Sequence, residues 1–255
     1  MADALPENLI PGAEPLSFDS GGPAGALVLH GFTGNPGSMR GIADALVAAG
    51  FSVEMPLLPG HGTVVQDMIP TGFEDWLGAA EAAYQRLSAR CDKVVIVGLS
   101  MGGALTAWLG GDHPEAAGLV CINAIVSEPE GMRAFVEELL AGGTELMDGI
   151  GSDIAKEGVV ESAYPETPVR PLLSMIEAAS GLDERLGRIT SPLLVINSPQ
   201  DHVVPPVNSD ILAARAAGPV ERISAERSFH VATMDHDKEM IEEAVVAFAT
   251  KVTQA

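Results

Sequence analysis

Lys93-Val94-Val95-Ile96-Val97-Gly98-Leu99-Ser100-Met101-Gly102-Gly103 is the stretch on which the reading of this 255-residue chain turns. Four consecutive β-favouring apolar residues, Val94 to Val97, predict a strand over 93–98 buried on both faces. A helical run over 101–110 follows at once, so the chain must reverse sharply between Gly98 and Gly102. The spacing is G-x-S-x-G. In a chain with 28 glycines that match carries little by itself. The strand before it and the helix after it give it meaning, because strand, tight turn and helix together lift a serine hydroxyl to the edge of a sheet. Small residues at positions 98 and 102 let the backbone of such a turn pass close to its neighbours. An idle serine on a glycine-rich turn is the competing reading, and the partner residues decide between the two.

Working outward, apolar runs over 24–30, 51–55, 117–125 and 192–197 predict further strands, and 219–224 reads as one more where the alternation resumes. Helical spacing over 42–49, 73–86, 208–217 and 238–250 places helices between them. Strands that are apolar throughout, alternating with helices, define an α/β fold: a mostly parallel central sheet covered by helices on both faces. The first twenty or so residues read as an irregular lead-in with one edge strand. Over 126–188 the rhythm changes to helical segments without a clear strand, which reads as an insertion. The expectation is a single domain, 1–255, interrupted once.

Composition narrows the function. Thirty-five acidic against 14 basic side chains leave a net charge of −21. Nucleic acids and anionic membranes recruit Lys and Arg, so no nucleic-acid partner is expected, and the ligand should be neutral or reach a shielded pocket. The uncharged run 94–111 is long enough to raise the membrane question. Its interior glycines divide it into strand, turn and helix, so no integral membrane segment is expected. Met1-Ala2-Asp3-Ala4-Leu5-Pro6-Glu7 carries acid where a secretory signal carries Lys or Arg, which points to the cytoplasm. Cys91 and Cys121 have no ligand spacing and read as buried thiols, so neither a metal nor a cofactor is expected.

A serine hydroxyl attacks an acyl group at neutral pH only when a base removes its proton. His230, in Arg227-Ser228-Phe229-His230-Val231 between the last strand and the last helix, is placed to be that base; a plain helix-start histidine is the alternative, as His236 is. The base needs a carboxylate to orient it. Asp201, just after the strand Leu193-Leu194-Val195-Ile196-Asn197, supplies one, with Glu128 or Glu130 as weaker choices. An oxyanion needs backbone N–H donors. Met101, next after the serine, offers one, and Phe32 in His30-Gly31-Phe32-Thr33-Gly34 offers the second. His30 and the segment Leu58-Pro59-Gly60-His61-Gly62 read as loop-shaping.

With HGFTG at 30–34, LPGHG at 58–62, GLSMGG at 98–103, SPQDHVVPP at 198–206 and SFHVATMDHDKE at 228–239, the chain resembles the α/β-hydrolase carboxylesterases, and within them the bacterial monoacylglycerol lipases. The resemblance spans nearly the whole chain. It implies an α/β-hydrolase fold, Ser100 as nucleophile with Asp201 and His230, Phe32 and Met101 as oxyanion donors, and 126–188 as a small lid. The segments Ile150-Gly151-Ser152-Asp153-Ile154 and Glu161 to Pro168 resemble the lid region that contacts glycerol hydroxyls. Glu161 is the corresponding glutamate, with a solvated helix residue as its alternative, and Ile150 would line the route of glycerol. Apolar lid residues such as Met132, Phe135, Leu172 and Ile176 are expected to be mostly core, some facing an acyl pocket. The implied substrate is a small ester, most simply a monoacylglycerol. The competing readings are a general carboxylesterase and a non-catalytic binding protein on the same fold.

Overall fold

The structure, a computed structural model, describes residues 6–254 apart from the side chain of Asp183. Nine strands and eight α-helices follow in chain order among these residues. They are β1 (Leu16–Phe18), β2 (Ala24–Leu29), α1 (Arg40–Ala48), β3 (Ser52–Met55), α2 (Val65–Met68), α3 (Phe73–Ser88), β4 (Lys93–Leu99), α4 (Met101–Asp112) and β5 (Gly118–Ile122). Then come α5 (Met132–Ala141), β6 (Leu146–Asp148), β7 (Glu166–Pro168), α6 (Val169–Gly181), β8 (Leu193–Asn197), α7 (Val207–Arg215), β9 (Val220–Ser224) and α8 (Lys238–Thr253).

Seven strands form one sheet in the order β1-β3-β2-β4-β5-β8-β9. All neighbours run parallel except the edge strand β1, which pairs antiparallel with β3. Alternation along each strand sends residues to opposite faces. Val94 and Ile96 join Trp76, Leu105 and Ala107 on the α3 and α4 side. Val95 and Val97 join Ile42, Leu46, Val245 and Phe248 on the α1 and α8 side. Both faces are thus dry, which is why these strands read as unbroken apolar runs. The strand order reverses between β2 and β4, where crossovers leave in opposite directions and open a crevice at the carboxyl ends of the strands. Leu29 pairs with Gly98 there, so the loops after β2 and β4 lie side by side.

Several expectations are adjusted. The strand expected over 117–125 stops at Ile122 because Asn123 turns the chain away with a φ of 43°. The segment expected to hold only helices contains a hairpin, β6 pairing antiparallel with β7. At three residues each, one ending in Pro168, these strands are too short to leave a periodic signal. The helix α2 was also invisible to periodicity. In the inserted segment, where apolar residues were expected to be mostly core with some facing a pocket, Met132 and Phe135 are 37% and 48% exposed, and Met132 lines the cavity that Ser100 faces. Helix α5 rests on α6 through one face only, and Val136 is its buried anchor. Cys91 and Cys121 are free and buried, as expected. Among the described residues no helix is long and apolar enough to cross a membrane.

Candidate active site

The turn between β4 and α4 is built on close approaches that only glycine allows. A Cβ on Gly98 would lie 2.0 Å from the carbonyl oxygen of Gly102, and one on Gly102 would lie 2.2 Å from that of Leu29. Ser100 takes φ 57° and ψ −116°, a conformation costing a non-glycine residue about 1–3 kcal/mol. The sheet holds it there: its N–H donates to the carbonyl of Ile122 at 2.9 Å, and its own carbonyl accepts from Ala104 at 3.1 Å. The side chain of Ser100 faces a cavity of about 160 Å³ lined also by Gly31, Phe32, Leu99, Met132, Met147, Ile150, Glu161, Leu172, Met175, Ile176 and His230.

His230 and Asp201 meet although 29 positions separate them. The Nδ1–H of His230 donates to Oδ2 of Asp201 at 2.7 Å. The other oxygen, Oδ1, accepts the N–H groups of Val203 and Val204, each at 2.8 Å. A carboxylate so bound has one oxygen left for the ring, which fixes the imidazole tautomer. The loop carrying His230 is held from below by Asn123, whose Nδ2 donates to the His230 carbonyl at 2.7 Å.

The loop after β2 supplies the facing wall. Burial lowers the pKa of His30 to about 3, with the neighbouring His61 adding to the effect. The neutral ring donates from Nδ1 to the Gly31 carbonyl at 3.0 Å and accepts the Leu58 N–H on Nε2 at 3.2 Å, tying this loop to the next. His30 and His61 are therefore loop-shaping residues of the interior. Phe32 lies on the pocket wall, its ring edge-on to Trp76 with centroids 5.7 Å apart. The Met101 side chain is fully buried; its N–H opens α4, where amides have no acceptor within the helix.

Glu161 lies on the pocket wall in a loop, not on a solvated helix. Burial raises its pKa, opposed by the charge of His230 and a hydrogen bond with Ser38. A Cβ on Gly34 would lie 2.8 Å from its Oε1, so the bare glycine leaves room for this carboxylate. Ile150 stands at the pocket mouth, 54% exposed. Of the alternative acids, Glu128 pairs with Arg133 at 2.9 Å and accepts from Ser180 at 2.6 Å, and Glu130 is exposed. His236 is an exposed turn residue just before α8. Sequence reasoning missed Asn123, Asp153 and Asp235, whose contacts join distant segments and leave no local pattern.

The alpha/beta hydrolase family matches residues 26–243, and the chain belongs to that family. A thermostable monoacylglycerol lipase from Bacillus sp. (strain H-257) is 42% identical over 247 residues, 95% of this chain and 96% of its own length. A carboxylesterase from Bacillus subtilis (strain 168) is 25% identical over 94% of this chain and 97% of its own. Among solved structures, a chain from the metagenome-derived lipolytic enzymes LipS and LipT superposes with a TM-score of 0.91 at 42% identity, covering 95% of this chain and 99% of that one.

Proposed function

We propose that this protein hydrolyses carboxylic esters, with monoacylglycerols as its characteristic substrates, through a Ser100–His230–Asp201 triad. The observation that carries the reading is one carboxylate, Glu161, set in a mostly apolar pocket beside Ser100 and His230, with Thr33 and Thr167 the other polar side chains on its wall. In the proposed sequence Asp201 holds the His230 tautomer, and Nε2 takes the proton as Ser100 Oγ attacks the acyl carbon. The N–H groups of Phe32 and Met101 receive the oxyanion. The tetrahedral adduct collapses, His230 returns the proton to the departing alcohol oxygen, and an acyl-enzyme remains. Water, activated by the same histidine, attacks it and releases the fatty acid and the free serine.

Glu161 binds a hydroxyl of the glycerol, and Ile150 lines its path. Residues 126–188 form a lid within a single domain, and its apolar side chains, among them Met132, Met147, Leu172 and Met175, receive the acyl chain. Flexible methionines suit chains of varied shape. The relatives support ester hydrolysis; the glycerol site rests on Glu161. The test compares kcat/KM for a medium-chain monoacylglycerol with its methyl ester, using Ser100→Ala as a blank. A preference of about tenfold, or about 1.4 kcal/mol, is expected and should vanish in Glu161→Ala. Equal loss on both esters in Glu161→Ala would leave a general carboxylesterase.

A further inference from the structure

Residues 152–161 of the inserted segment run as a strap against the loop that carries His230. Asp153 is the centre of the contact. Its Oδ2 accepts the backbone N–H of His230 at 3.0 Å and that of His202 at 3.1 Å. Its Oδ1 accepts from Nδ1 of His202 at 2.8 Å; a carboxylate has no proton to give, so the ring nitrogen is the donor. The Asp153 carbonyl accepts the next amide, that of Val231, at 3.1 Å. His202 directly follows Asp201. A single side chain therefore holds the main chain at His230 and beside Asp201, the two ends of the hydrogen bond that orients the imidazole.

A second carboxylate continues the strap. Asp235, fully buried, accepts the N–H groups of Ala155 and Lys156 at 2.7 and 2.9 Å and that of Phe229, next to His230, at 2.8 Å. At the far end Ser152 Oγ accepts the N–H of Glu161 at 2.5 Å. We infer that Asp153 is a positioning residue for His230, fixing the separation between the catalytic loops and, through the strap, the placing of Glu161 relative to them. The inference rests on the triad reading above.

The chemistry favours this assignment over a solvated lid carboxylate. The Asp153 side chain is only 13% exposed, and backbone amides bind a carboxylate more strongly than a neutral acceptor. A displacement of about 1 Å at a reacting group can cost about 100-fold in rate. Losing this clamp should therefore appear in kcat.

The test uses Asp153→Ala and Asp153→Asn with the nitrophenyl ester of butyric acid, which carries no glycerol. Asparagine keeps an oxygen for the two backbone donors and can turn its NH2 toward a deprotonated His202 Nδ1. Asp153→Ala should lower kcat about 30-fold with KM within about threefold of wild type. Asp153→Asn should recover kcat to within about fivefold. Asp153→Ser, whose hydroxyl satisfies at most part of the clamp, replaces the alanine variant if that chain does not fold, and should lose about tenfold in kcat. Unchanged kcat in the alanine or serine variant overturns the proposal, as does a loss carried by KM, an asparagine variant as impaired as alanine, or failure of both small variants to fold. Turnover that survives Ser100→Ala overturns the triad reading instead, so the two failures are separable.

Discussion

Acidification to pH 5 should weaken the fold through two histidines that never reach solvent. His30 and His61 are fully buried, their rings 5.0 Å apart, with pKa values lowered by burial from 6.5 to about 3 and about 4. Their carbonyl acceptors, Gly31 and Pro59, partly oppose the shift. In the folded chain both stay neutral at pH 5, whereas in the unfolded chain both bind protons below 6.5. The unfolded state thus gains protons first, and stability present above about pH 6.5 drains away as pH falls toward the folded values. At pH 5, 1.5 units below the unfolded value, each histidine costs about 2 kcal/mol, or about 4 kcal/mol for the pair. The assay is reversible urea unfolding followed by tryptophan fluorescence at pH 7.5 and 5.0, for wild type and His61→Gln. Other titrations, such as that of His113, whose pKa its glutamate neighbours raise against desolvation, are common to both proteins and cancel in the difference. The wild type should lose about 2 kcal/mol more than the variant between the two pH values. Equal losses would refute the claim that His61 is neutral in the fold.

Three further outcomes follow from packing. Gly98→Ala and Gly102→Ala place a methyl 2.0–2.2 Å from backbone oxygens and should destabilise by about 3 kcal/mol or more, read by urea midpoint. Glu54, 3% exposed and held by Arg86 and Arg90 at 3.0 and 2.7 Å, should cost about 1–2 kcal/mol when changed to Ala, since its arginines can turn to water; Glu54→Leu should cost less. Met175→Ala opens the pocket wall and should move the kcat/KM optimum toward longer acyl chains by about one or two carbons, measured on a series of nitrophenyl esters.

The centre of the sheet was legible because β2, β4, β5 and β8 are buried on both faces: Val94 to Val97 cannot be polar anywhere. The turn at Ser100 was legible for a related reason, since the backbone crowding at Gly98 and Gly102 excludes every side chain. Ser100 and Asp201 stand out as residue types following apolar strands, and His230 as a histidine between the last strand and the last helix. The hairpin of β6 and β7 escaped because three-residue strands carry no period, and Phe135 is half exposed because α5 buries only a narrow stripe. Asp153 was hidden for another reason. Its partners are 49 and 77 positions away, and a carboxylate that binds backbone amides asks nothing of the partner side chains, so neither end betrays the contact.

Glu161 offers the sharpest link between electrostatics and selectivity. Desolvation raises its pKa above the ordinary 4.5, with His230 and Ser38 pulling it back. On the proposed reading, an ionised Glu161 would accept a charge-assisted bond from a glycerol hydroxyl, worth about 1.5–3 kcal/mol, which protonation would weaken. Preference for monoacylglycerol over methyl ester should therefore fall on acidification, with a midpoint above 4.5 because the folded value is raised. Taking the ratio of kcat/KM for the two esters on the same enzyme cancels every pH effect common to both reactions and any loss of folded protein. In Glu161→Gln, whose amide does not titrate, the ratio should be flat from pH 8 to 5.5. Parallel curves for wild type and Glu161→Gln would mean that some other group sets the pH dependence, and would detach the pocket carboxylate from recognition of the alcohol.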